Sequence, residues 1–254
     1  IDDIEDDSLK RRGEEVLHEK YDIDIAINAG NFLYFLPLKI LKDHKDKFSS
    51  DILLQIYSIY TEKILELHFG QGIDIQWQIR RKKSVTEDKY LSMCALKSGS
   101  LAELTAKLAA VLCDVSSKKT EILGKLGKNI GVVFQIQDDI NDFKKLREEI
   151  SNKTENDYPN LRDRKTGLCV IRTLNEASPS DQDKLLNILD GRESNQNRIT
   201  ELFTIVNKYD GITYAQSLAD RLLEEVLDLS AEIIENPKLK QKLQKFLQKL
   251  LGKW

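Results

Sequence analysis

The 254-residue sequence predicts an all-α protein. Two observations carry that expectation. Apolar residues recur at spacings of three and four through most of the chain, which is the period of a helix with one buried face. Turn-forming residues are scarce, with 12 Gly and 4 Pro, whereas strands need frequent turns. Apolar residues at 41% and charged residues at 32% fit a water-soluble folded chain and not a disordered one. The length suffices for one large core. No repeat at solenoid period and no low-complexity linker divides the chain, so residues 1–254 read as a single domain.

The elements are taken in chain order. The first expected helix carries Asp2-Asp3-Ile4-Glu5-Asp6-Asp7 and stops before Gly13. Ile52, Leu53, Ile56, Ile59, Tyr60, Ile64, Leu65 and Leu67 form one helical face, punctuated by Gly70-Gln71-Gly72. Leu101, Leu104, Leu108 and Val111 continue the pattern beyond Tyr90 and Gly99. Ile130, Val133, Phe134 and Ile140 outline a buried helix. Residues 144–166 are polar, charged and aperiodic, and read as a mobile loop. Gly191 and Gly211 punctuate the C-terminal part of the chain, and Leu222, Val226, Leu229 and Ile233 mark a further helix there. After Pro237, a Lys/Gln/Leu-rich helix reads as a surface lid or packing helix.

Several function classes are disfavoured. A net charge of −3 argues against nucleic-acid binding, which usually shows a strongly basic domain. Cys94, Cys113 and Cys169 form no CxxC pair and read as reduced, mostly buried thiols of an intracellular, cytoplasmic protein. There is no apolar run of transmembrane length and no signal peptide. His18, His44 and His68 lack metal-ligand spacing, and no GxSxG, P-loop or GxGxxG occurs. The chain opens inside a motif and without Met, so N-terminal helices are expected to be missing.

Two aspartate clusters carry the chemistry. Residues 2–6 and 138–142 each read DDxxD. On a helix, Asp2 and Asp6 stand at i and i+4, so their carboxylates stack on one face, as do those of Asp138 and Asp142. Like charges so placed need a counter-charge. Hard oxygen ligands at this density suit Mg2+, which is often shared between carboxylates and substrate phosphates. Gln135, Asp138, Asp139 and Asp142 form one stripe inside an otherwise apolar segment. Unpaired carboxylates on such a face would cost several kcal/mol. Either cluster alone could be a solvated acidic face; two together point to metal.

Cationic residues complete the pattern. Lys10-Arg11-Arg12 lies one to two turns after the first cluster, and arginine forks match phosphate oxygens. Lys97-Ser98-Gly99 interrupts an apolar segment, and Lys153, Arg164 and Lys165 sit in or beside the aperiodic stretch. Taken singly, Arg11 and Arg12 are ordinary helix-terminal charges and Lys97 an ordinary snorkelling lysine. Only their combination with the carboxylates makes a diphosphate site.

With these blocks in place, the chain resembles the trans-isoprenyl diphosphate synthases, most closely the geranylgeranyl diphosphate synthase type. Asp2 to Gly13 is similar to the first aspartate-rich motif with its trailing RRG. His68-Phe-Gly-Gln-Gly-Ile-Asp74 resembles the GQxxD block, Lys97-Ser98-Gly99 the KTG, and Phe134 to Asp142 the FQxxDDxxD motif. The resemblance implies an isoprenoid synthase fold, a helical bundle around a deep central pocket, in a homodimer. It implies that Asp2, Asp6 and Asp138 bind three Mg2+ ions, with Mn2+ as the substitute. Asp3, Asp139 and Asp142 would bind through water or support the site. Arg11, Lys97, Ser98, Gln135 and Lys153 would hold an allylic prenyl diphosphate. Arg12 would face isopentenyl diphosphate, and Lys165, or Arg164 beside it, would match a late phosphate-binding lysine. The family's upstream lysine and arginine have no counterpart here, and 152–166 lacks a clear DIxxGKxT.

Two rivals remain at this level. A class I terpene cyclase would use Asn141-Asp142 with Glu149, although Lys145 stands where that motif needs Ser or Thr. A non-catalytic subunit that tunes a partner synthase is the other, against which two intact clusters argue.

Overall fold

The computed structural model describes residues 1–6, 8–80, 85–151, 167–190 and 196–250. Helices dominate them, and the one sheet among the described residues is a two-stranded hairpin. The chain divides into two compact units, Ile1–Ser58 and Ile59–Trp254.

The first unit contains α1 (Asp2–Glu5), β1 (Lys10–Arg11), β2 (Glu14–Glu15), α2 (Leu17–Tyr21), α3 (Ile23–Asp43) and the start of α4 (Ser50–Arg80). The basic run does not prolong a helix. It folds back, because Arg12 (φ 54°) and Gly13 (φ 87°) both take positive φ, the geometry that a two-residue hairpin turn requires. The register sets Lys10 opposite Glu15 and Arg11 opposite Glu14, so unlike charges face each other. The first DDxxD is correspondingly short as a helix: α1 ends at Glu5 and Asp6 caps it at φ −94°, ψ 1°. α3 lies beside α1, and a side chain at Gly30 would collide with the Ile1 side chain.

In the second unit, α4 continues, followed by α5 (Glu87–Cys94), a π-helical segment (Ala95–Gly99), α6 (Ser100–Leu112) and α7 (Ser117–Ser151). Then come α8 (Leu168–Glu176), α9 (Pro179–Asp190), α10 (Gln196–Lys208), α11 (Gly211–Ile233) and α12 (Pro237–Leu250). Thr86 begins α5 by accepting a hydrogen bond from the Lys89 amide, with Glu87 and Asp88 in the first turn where the helix dipole favours anions. Val133, Ile136 and Ile140 of α7 are buried with Leu168 of α8 and with Leu218 and Val226 of α11. Each such side chain contributes roughly 1.5–3 kcal/mol by leaving water.

A buried charge cluster ties α4, α6 and α7 together. Glu103 Oε2 lies 3.2 Å from Lys63 Nζ and 3.5 Å from Lys128 Nζ, while its Oε1 lies 3.1 Å from Lys107 Nζ. Burial works against the Glu103 charge, but the Lys107 hydrogen bond and the Lys63 and Lys128 charges hold its carboxyl below the ordinary value.

Several expectations change. Residues 144–151 are not loop but the last turns of α7, and 152–166 lie outside the described residues. Gly70 and Gly72 lie inside α4, and Gly99 ends a π-helical segment that runs straight into α6. Leu65, Leu101 and Phe134, expected on buried faces, are 56%, 51% and 40% exposed.

Candidate active site

The second aspartate motif is built on α7 and backed by α5, the π segment and the start of α8. Gly131 of α7 and Gly70 of α4 grip the π segment from two sides. A Cβ on Gly70 would fall on the backbone nitrogen of Lys97, and one on Gly131 would fall on the carbonyl oxygen of Ser98. Insertion of a π turn at functional positions re-aims side chains that a regular helix would stagger elsewhere. Here it carries Lys97 and Ser98.

Both residues have partners. Lys97 Nζ donates to Asp74 Oδ2 of α4 at 2.7 Å, with each side chain 13% exposed. Ser98 Oγ donates to Gln135 Oε1 at 2.5 Å. Gln135 Nε2 donates to Asp139 Oδ1 at 2.9 Å, and the Tyr90 hydroxyl donates to Asp139 Oδ2 at 2.7 Å. A directed chain results, in which Asp139 accepts from both ends. Burial pushes the Asp139 carboxyl up to about 6 against the pull of the Tyr90 and Gln135 hydrogen bonds, and the Asp74 and Asp138 charges add to the rise. Burial, and then the Asp139 charge, also drives the Tyr90 phenol well above its ordinary value. Gly167, just before α8, packs on Asp139, leaving 2.8 Å between its would-be Cβ and the carboxylate.

The other members of this motif are more open. Asp138 and Asp142 are exposed. Lys145 Nζ donates to Asp142 Oδ1 at 3.1 Å. Asn141 turns away from Asp142 and accepts from Gln137, which in turn accepts from Gln216 of α11. Asn141 and Asp142, two of the residues a cyclase motif would use, thus have separate partners, and the Glu149 side chain lies outside the described residues.

At the first cluster, Arg11 bridges two carboxylates, with Nη2 2.8 Å from Asp2 Oδ2 and Nε 2.6 Å from Asp3 Oδ1. Its guanidinium is raised chiefly by the Asp3 hydrogen bond. The counter-charge that the DDxxD spacing demands is thus supplied in part by the protein. Tyr34 of α3 lies close enough for its phenol to be raised, by burial first and then by Glu5 and Asp2. Arg12 is exposed at the hairpin tip. Lys153, Arg164 and Lys165 lie outside the described residues.

The donor set fits Mg2+ in one particular manner. Among the described residues, no group of three or more His, Cys, Asp or Glu side chains is gathered to hold an ion. Mg2+ commonly takes one or two carboxylates and completes its shell with water and substrate phosphate. The exposed Asp138 and Asp142 at i and i+4 suit that role. Asp139 does not, because both its oxygens already accept hydrogen bonds.

Asp74, Tyr90 and Tyr34 were missed as site residues in the sequence. Asp74 stands in the GQxxD block, and its acid three residues beyond the Gln was the available signal. Nothing in sequence spacing links Tyr90 to Asp139, 49 positions away.

Comparison with known proteins agrees with this architecture. The chain is 25% identical to a geranylgeranyl diphosphate synthase of Sulfolobus acidocaldarius, over 97% of this chain and 73% of that protein. It is 31% identical to a geranylgeranyl pyrophosphate synthase of Aspergillus flavus, over 89% of this chain and 61% of that one. The crystal structure of a geranylgeranyl pyrophosphate synthetase from Pyrococcus horikoshii superposes with a TM-score of 0.84 at 23% identity, covering 98% of this chain and 73% of that one. This last likeness establishes the all-α isoprenyl synthase fold. The polyprenyl synthetase family model matches residues 1–206, and the chain belongs to that family of prenyltransferases.

Proposed function

We propose that the chain is a Mg2+-dependent trans-prenyltransferase that joins an allylic prenyl diphosphate to isopentenyl diphosphate, yielding a longer prenyl diphosphate, geranylgeranyl diphosphate. The observation that carries this reading is the joining of the Lys97-Ser98 segment to the second aspartate motif through the Ser98–Gln135 hydrogen bond. Diphosphate-facing cations and metal-facing carboxylates thereby share one rigid unit. The names of the relatives support the same product.

In this reading Asp2, Asp6 and Asp138 would hold Mg2+, which would supply positive charge for the diphosphate leaving group. Lys97, Arg11, Ser98 and Gln135 hold the allylic diphosphate, with Lys153 and Lys165, or Arg164, assigned by resemblance. Arg12 faces isopentenyl diphosphate. Asp74 aims Lys97 through their hydrogen bond, and Arg11 is the cation that would exchange Asp2 and Asp3 for phosphate. The allylic C–O bond breaks and its electrons leave with the diphosphate. The isopentenyl double bond attacks the resulting cation, and the proton then lost is accepted by the released diphosphate. The residues contribute electrostatics and positioning, with no dedicated side-chain base.

Residues 1–254 form one isoprenoid synthase domain under this proposal, working in the cytoplasm as a homodimer. Leu65 and Phe69 of α4, 56% and 69% exposed, support a surface covered by a second copy. Among the described residues, no helix is long and apolar enough to cross a membrane.

Incubation with allylic diphosphates, isopentenyl diphosphate and Mg2+, followed by mass spectrometry, tests the reading. Longer prenyl diphosphates are expected from the wild type and not from Asp138→Ala. Hydrocarbon or alcohol products, or full activity in Asp138→Ala, would overturn it.

A further inference from the structure

The proposed chemistry makes no use of α12, whose fourteen residues PKLKQKLQKFLQKL carry five lysines and no acid. At about 100° per residue, the side chains sort into distinct strips. Leu243 and Leu247 face the body of the second unit: Leu247 is 1% exposed and Leu243 packs on the core. Leu239 and Phe246 lie together at one edge of that face and are 52% and 57% exposed. Lys238, Lys242, Lys245 and Lys249, all exposed, come next in a stripe spanning an arc of about 60°. Gln241, Gln244 and Gln248 fill the remainder with the half-buried Lys240, which lies beside the docked face. Among the described residues, no carboxylate pairs with any of the four lysines. The docked, exposed-apolar and cationic strips are therefore contiguous around one helix.

We propose that α12 seats the protein on an anionic phospholipid surface, with Leu239 and Phe246 entering the headgroup–acyl boundary and the four lysines meeting lipid phosphates. The occupant must offer an apolar layer and negative charge side by side along the full helix, which the interface of an anionic bilayer does. Duplex nucleic acid offers the charge without the apolar layer. The concentration of charge on one helix matters because the whole chain carries −3, so attraction to an anionic surface has to come from a local cationic face such as this one. Attachment of this kind needs no membrane-crossing helix, and it holds whether or not the prenyltransferase reading is right.

Co-sedimentation of the full chain with vesicles tests it. One set of vesicles is phosphatidylcholine alone and the other equal parts phosphatidylcholine and phosphatidylserine. Binding is expected to the second set only and should weaken as salt rises. Changing Lys238, Lys242, Lys245 and Lys249 together to Gln should abolish it, at about fivefold per lysine. Leu239→Ser/Phe246→Ser should weaken it with the charge intact. Both variants should keep wild-type circular dichroism and melting, which separates loss of binding from loss of fold. Wild type that stays in the supernatant with phosphatidylserine overturns the proposal, as does equal binding by either variant. So does lysine-dependent self-association without vesicle binding, which would assign the face to a second copy.

Discussion

Tyr90 is the residue on which the site's internal order depends most. Its hydroxyl is one of two donors to Asp139, and Asp139 in turn orients Gln135 and, through it, Ser98. A hydrogen bond to a charged acceptor is worth roughly 1.5–3 kcal/mol, so Tyr90→Phe should lower stability by about that amount while keeping the ring packed. It should also lower kcat for prenyl elongation about tenfold, because the loss reaches Ser98 through two intermediate side chains. A double-mutant cycle with Ser98→Ala checks the route: the two losses should be clearly less than additive, and simple additivity would show that the chain does not transmit. Asp139 and Gln135 were legible in the sequence because they lie at helical spacing in one motif. Tyr90 was not, since its partner is brought to it only by the packing of α5 against α7. The pairing of Arg11 with Asp2 and Asp3 was likewise hidden, because it depends on the positive φ at Arg12 and Gly13 that reverses the chain.

Among the elements, the glycines were the signals most easily misread. Gly70, Gly72 and Gly99 suggested breaks, yet α4 runs unbroken through the first two and the helical path continues past the third. The reason at Gly70 and Gly131 is close approach, since each abuts the backbone of the π segment. Gly131→Ala should therefore force α7 away from Ser98, costing about 1–3 kcal/mol of stability as overpacking and most of the elongation activity. Gly72 offers the contrast, for a Cβ there meets nothing within 4 Å. Gly72→Ala should raise stability by about 0.5–1 kcal/mol through helix propensity alone. Thermal melts of the two variants beside wild type decide whether glycine is kept for space or merely tolerated. The periodic apolar faces, by contrast, were read correctly wherever a helix packs on one side, and failed at Leu65, Leu101 and Phe134, where the pattern continues onto an exposed face. The buried Glu103 was invisible as well, because its three ammonium partners come from α4, α6 and α7. Its carboxyl is depressed in the folded state, so the stability it contributes is present above the ordinary carboxylate pKa and lost as pH falls through the depressed value. Taken as the difference in melting temperature between wild type and Glu103→Gln, which cancels the opposite trend from the raised Asp139 carboxyl, that contribution should hold from neutral pH to about 5 and then fall. Glu103→Gln should start about 1.5 kcal/mol lower, because Lys63, Lys107 and Lys128 lose the shared carboxylate but keep Glu66 or Glu121, and should show a shallower acid slope.

For the whole molecule, the carboxylates of both motifs already have protein partners: Arg11 on Asp2 and Asp3, Lys145 on Asp142, Tyr90 and Gln135 on Asp139. Among the described residues, no ready-made cage of three acids competes with them. An ion that must displace Arg11 or Lys145 without bringing ligands of its own gains little. An ion that arrives with a diphosphate brings phosphate oxygens for its shell and gives the displaced cations an anion to hold. Metal and diphosphate should therefore bind as a unit. The consequence is a linkage pattern readable by thermal unfolding. Mg2+ alone and inorganic diphosphate alone should each leave the melting temperature nearly unchanged, and the two together should raise it. At a hundredfold excess over the joint dissociation constant, the stabilisation is about 2.7 kcal/mol. Asp138→Ala should lose the joint shift, measured against the melting temperature of the unliganded variant. A shift with Mg2+ alone as large as with both would mean that the carboxylates form a complete metal site without substrate, and the exchange of Arg11 between carboxylate and phosphate would then have no role.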